Sequence, residues 1–109
     1  MKLRAVVFVF GSLLAVVSAG CREEHRFAVA FTCGYTLRED PDHRAVAEQL
    51  DAVDLSDPAK ARAVCCYLKA AETCLKDGLQ GECSYAADEL LQEWRVQMKA
   101  GDLSCVGKC

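Results

Sequence analysis

Two histidines, His25 and His43, and eight cysteines are the side chains of this chain best suited to chemistry. A neutral imidazole can serve as a general base or ligate a metal, and a thiolate can attack a carbonyl or bind zinc. Both uses need spacing that gathers the groups. No C-x2-C pair of the kind that clasps zinc is present, and only two histidines could supplement the thiols. The cysteine count is even, and Cys21, Cys33, Cys65, Cys66, Cys74, Cys83, Cys105 and Cys109 all follow an apolar leader. They read as four disulfides rather than as ligands or nucleophiles. With every thiol in a bridge no Cys-His pair remains, and no Ser-His-Asp set stands out. His25 and His43 fall near the starts of two helical segments, where they read as exposed surface residues. No catalytic residue, metal ligand or cofactor is expected.

Bridges of this number imply export, and the N-terminus supplies the route. Lys2 and Arg4 precede an apolar run from Ala5 to Val17, and Val17-Ser18-Ala19 offers the small residues that a signal peptidase reads. Cleavage is expected after Ala19 or Gly20, leaving a signal peptide over 1–20 and one domain over 21–109. A run of about 13 residues is too short to cross roughly 30 Å of hydrocarbon comfortably. Ser18-Ala19-Gly20-Cys21 is near a bacterial lipoprotein box, but Ser18 stands where an aliphatic residue belongs. Lipidating Cys21 would also leave seven thiols, which cannot all pair. Without Lys2 and Arg4, the 13 Lys and Arg fall to 11 against 16 Asp and Glu. That acidic balance argues against nucleic acid and against anionic lipid as partners. No other apolar run is long enough for membrane insertion, and the chain has no Asn for N-glycosylation.

The elements that position the cysteines read as helices, because residues 21–109 lack Ile and are rich in Ala. The first runs from about Arg22 to Leu37. Phe27, Phe31 and Tyr35 recur every four residues beside Ala30, Cys33 and Leu37, and an aromatic stripe at this spacing is usually core. The second starts at Asp40-Pro41, with Val46, Leu50 and Val53 as its buried stripe. The third starts at Ser56-Asp57-Pro58, buries Ala61, Val64, Cys65, Leu68 and Leu75, pairs Glu72 with Lys76, and ends at Gly78. The fourth begins near Ser84, turns Ala87, Leu90, Leu91, Trp94 and Met98 inward, and stops at Gly101. Cys65 and Cys66 point about 100° apart on a helix, so each should reach a different partner. Eight cysteines otherwise allow 105 pairings. The fold class is all-α: a small four-helix, disulfide-stapled domain after a cleaved signal peptide.

The cysteine order is C-x11-C-x31-CC-x7-C-x8-C-x21-C-x3-C. Secreted phospholipases A2 also carry adjacent cysteines on a helix, but here Cys65-Cys66 is followed by Tyr67-Leu68-Lys69-Ala70, without the catalytic His-Asp pair. The opening order C…C…CC is similar to that of plant lipid-transfer proteins, which continue with C-x-C where this chain separates Cys74 from Cys83. The segment from Cys65 to Cys109, with its CC, its Cys74 and its C-x3-C tail, resembles the con-ikot-ikot toxins of cone snails. It is also similar to secreted arthropod proteins of the haemolymph-glycoprotein kind. The toxin resemblance implies a secreted, non-enzymatic effector that binds a protein receptor or ion channel on a target cell. The haemolymph resemblance implies a body-fluid or innate-immune protein. A carrier of a small apolar ligand is the further alternative, and it expects a cavity between the first and fourth helices.

Overall fold

The computed structural model describes residues 21–109, so the signal peptide expected over 1–20 lies outside the described residues. Every regular element among the described residues is helical. They are α1 (Glu23–Glu39), α2 (Arg44–Gln49), a 3-10 turn (Leu50–Ala52), α3 (Pro58–Gly78), a second 3-10 turn (Gly81–Cys83) and α4 (Ser84–Gln97).

The longest, α3, starts where the sequence places it. The Asp57 carboxylate accepts hydrogen bonds from the backbone N–H of Ala59 at 2.9 Å and of Lys60 at 3.5 Å, and Pro58 needs no partner for an N–H it lacks. Just upstream, the Ser56 hydroxyl and backbone N–H both donate to Asp54, holding its carboxyl below the usual carboxylate range. The Lys76 ammonium reaches Glu72 at 2.8 Å along the outer face. Seven side chains of α3, from Ala61 to Leu75, are buried. They are spread widely enough to meet α1, α2 and α4, so α3 is the spine on which the other helices pack.

Two apolar clusters share that spine. One centres on Leu37, Val64, Tyr67, Leu68, Ala71 and Met98. The other gathers Cys33, Leu75, Leu79, Ala86 and Ala87. Apart from the phenol of Tyr67, no polar or charged side chain is buried among the described residues, so the core rests on apolar contact and bridges. Close approach matters at one point: a Cβ on Gly78 would stand 2.6 Å from Cγ1 of Val29, a stiff β-branched side chain. Gly78→Ala gains helix propensity but overpacks this contact, and is expected to lower stability by about 1 kcal/mol in urea denaturation.

The bridges pair Cys21 with Cys83, Cys33 with Cys74, Cys65 with Cys105 and Cys66 with Cys109. Cys65 and Cys66 do take different partners, yet both partners belong to one tail segment. That segment turns back on itself at Gly107, whose φ of 73° suits a residue without Cβ. The N-terminus of α1 is tied to the entry of α4, and Arg26 of α1 meets Glu89 of α4 at 3.0 Å. These two helices therefore run parallel, with α3 antiparallel to both.

Two expectations are corrected. The first concerns the aromatic stripe of α1: Phe27, Phe31 and Tyr35 are 72%, 67% and 60% exposed, and the buried residues of α1 are Cys33 and Leu37. At roughly 100° per residue the aromatic line lies more than a third of a turn from the Cys33–Leu37 line. Only one of these lines can face α3, and the Cys33–Cys74 bridge fixes which. The second concerns α2. The Asp40 carboxylate accepts from the Asp42 N–H at 2.9 Å in a turn around Pro41, and α-helix begins only at Arg44. Leu50, at φ 32°, leaves the right-handed region, so Val46 is buried, Val53 half-buried and Leu50 exposed.

Candidate functional site

Parallel packing of α1 and α4 on α3 leaves an opening between them. Near Cys21–Cys83 and Arg26–Glu89 the two helices are held together. Further along, a cleft of about 390 Å³ opens, lined by Ala30, Phe31, Gly34, Tyr35 and Arg38 of α1 and by Trp94, Gln97 and Met98 at the end of α4. Tyr67 of α3 contributes to the wall, and Ala47 and Leu50 line it from the α2 side. The lining is mostly apolar and aromatic, with few polar groups, and the volume lies within the range of roughly 300–1,000 Å³ typical of small-molecule sites.

Several wall residues owe their place to a local cause. Phe31 and Tyr35 face the cleft because Cys33 and Leu37 have taken the α3-facing side of the same helix. Gly34 lies between them, and a Cβ built there would meet nothing within 4 Å, so the absence of a side chain widens the cleft. Leu50 is brought to the rim by the chain reversal that ends α2. Burial of Tyr67 pushes its phenol above the ordinary tyrosine range. The Trp94 indole packs against both core clusters and also lines the cleft, so the residue expected in the core serves both.

A wider depression of about 640 Å³ is bordered by Lys76, Gln80, Ser84 and Asp88 among others. Leu79 and Tyr85 also border it, but its lining mixes polar and apolar groups about evenly, whereas the α1–α4 cleft is predominantly apolar and is the better candidate.

The residues with reactive side chains do not meet there. His25 is exposed, and its Nε2 lies 3.1 Å from the Gly78 carbonyl oxygen, which can only accept, so the imidazole donates. His43 is half-buried rather than fully exposed, its ring standing edge-on to Tyr67 at 6.1 Å between centroids. His25 lies in the first turn of α1, whereas His43 follows its far end and precedes α2. All eight cysteines are bridged, and among the described residues no group of three or more His, Cys, Asp or Glu could hold a metal. None of the described helices is long and apolar enough to cross a membrane.

In the sequence Phe31 and Tyr35 read as a core stripe, with the lining of a lipid pocket as the less usual alternative for such aromatics. Cys33 carried the missing signal: a bridged cysteine points inward, so an aromatic line far from it on the same helix points elsewhere. No protein-family model, curated protein or solved structure matches this chain.

Proposed function

We propose that this chain is a secreted, non-enzymatic protein that carries a small apolar ligand between α1 and α4. The observation behind this reading is the aromatic cleft itself, set where a carrier would need it. Four disulfides fit an extracellular setting. Hydrocarbon entering the cleft would cover Phe31 and Tyr35, side chains that otherwise expose large apolar area to water.

Gly34 provides the test. Gly34→Leu starts from a Cβ that meets nothing within 4 Å, projects its isobutyl group from the cleft wall and replaces a helix-interior glycine, so the fold should lose no stability. Titration with an environment-sensitive apolar dye such as 1-anilinonaphthalene-8-sulfonate should show saturable binding to the wild type, weakened at least tenfold in Gly34→Leu. Equal affinities would remove the cleft from the binding site.

A second reading is a toxin-like effector that docks on a membrane receptor or ion channel. It draws on Phe27, which stacks on Phe31 at 6.3 Å between centroids and extends the aromatic row beyond the cleft, and on Val106, 91% exposed in the bridged tail. Aromatic anchors of this kind dominate many protein interfaces. Phe27→Ala separates the two readings: it should leave dye binding unchanged, whereas an effector should lose receptor or channel activity with it.

A further inference from the structure

The cleft is poor in charge, and the charge it has is of one sign. Residues 21–109 hold the 13 Lys and Arg less Lys2 and Arg4, against 16 Asp and Glu, so acids predominate. No carboxylate lines the cleft, and its one charged wall residue is Arg38, in the last turn of α1. Ion pairs among the described residues join Arg22 to Glu24, Arg26 to Glu89 and Lys76 to Glu72. None involves Arg38. Arg44 nearby is engaged differently, its guanidinium donating to the backbone carbonyls of Arg38 and Glu39 at 3.3 and 3.4 Å. The other polar side chains of the wall are Tyr35, Tyr67, Trp94 and Gln97, and each of them can donate a hydrogen bond. The wall of the apolar cleft in this acidic protein thus holds one cation outside any ion pair and several donors, and no carboxylate.

We infer that the ligand is a single-chain amphiphile with a carboxylate head, its tail along Phe31, Trp94 and Met98 and its head at the Arg38 guanidinium. The inference rests on the carrier reading and names its ligand class. A planar guanidinium matches a carboxylate in charge and in paired hydrogen-bond geometry. One cation also balances one negative charge, whereas a phosphate monoester carries close to two near neutral pH. The cleft's 390 Å³ sits low in the range of ligand sites, which suits one medium-length chain rather than a two-chain lipid.

Trp94, the only tryptophan, lies in the wall and reports occupancy directly through its emission. Wild type, Arg38→Gln and Arg62→Gln would be titrated with dodecanoate, 1-dodecanol and dodecyltrimethylammonium, all below their micellar concentrations. Arg62 is exposed on α3 outside the cleft, so its variant carries the same change in charge without touching the site. Arg38→Gln should weaken dodecanoate by about five- to tenfold, as expected for a partly exposed charge-assisted pair. It should leave dodecanol within about twofold and improve the ammonium probe. Arg62→Gln should move none of the three. Rising salt should weaken dodecanoate alone in the wild type, an independent measure should Arg38→Gln prove misfolded by circular dichroism. If dodecanoate is insensitive to both Arg38→Gln and salt, or dodecanol loses as much, the carboxylate assignment falls while the carrier reading survives. If no probe saturates the wild type, the carrier reading fails and the assignment goes with it.

Discussion

Replacing Cys33 and Cys74 together with alanine should cost this protein at least about 3 kcal/mol of stability, more than losing the tail bridge between Cys66 and Cys109. Sequence separation alone does not distinguish the two, at 41 and 43 residues. The remaining bridges do. With Cys21–Cys83 intact, the Cys33–Cys74 bridge closes an effective loop of roughly two dozen residues through the chain and that crosslink, which chain entropy values at about 3 kcal/mol. With Cys65–Cys105 intact, Cys66–Cys109 closes a loop of only about half a dozen, worth about 2 kcal/mol. Burial widens the gap, since Cys33 is 2% exposed and packs in the second cluster, whereas Cys109 is exposed. Guanidinium unfolding of the two double-alanine variants would check this. Equal losses would mean that the tail is as deeply integrated as α1.

Leu75→Ala should destabilise by about 3 kcal/mol, whereas Phe31→Ala, which deletes more apolar volume, should change stability by less than about 0.5 kcal/mol. Leu75 is wholly buried on α3 among Cys33, Leu79, Ala86 and Ala87, so its truncation leaves a cavity that rigid helices and bridges cannot close. Phe31 is 67% exposed and already meets water on most of its surface. Surface truncations away from caps and buried pairs usually fall within that narrow range. The pair of values discriminates sharply. A helix read from periodicity alone assigns Phe31 to the core and expects its loss to cost about 3–5 kcal/mol. Thermal or denaturant melts of the two variants would decide between these pictures. A large loss at Phe31 would mean that the aromatic row is covered in the free protein, which would remove the open cleft.

The cysteine spacing, the capping residues and the apolar periodicity were enough to establish an all-α fold with four bridges over residues 21–109 and to place the starts of α3 and α4. These are local matters. Asp57-Pro58 satisfies the orphan N–H groups at the head of α3 whatever packs nearby, and Glu72 and Lys76 meet because four residues make about one turn. The pairing of the cysteines was not legible, because many loop closures of similar length compete and packing alone chooses among them. The face of α1 was open for a related reason. Its apolar side chains form two lines, each with helical spacing, and α3 offers a surface to only one of them. Once the Cys33–Cys74 bridge and Leu37 take that surface, Phe31 and Tyr35 are left beside the end of α4. The cleft therefore arises from three helices competing for contact, a property of their arrangement in space that no stretch of the chain carries alone.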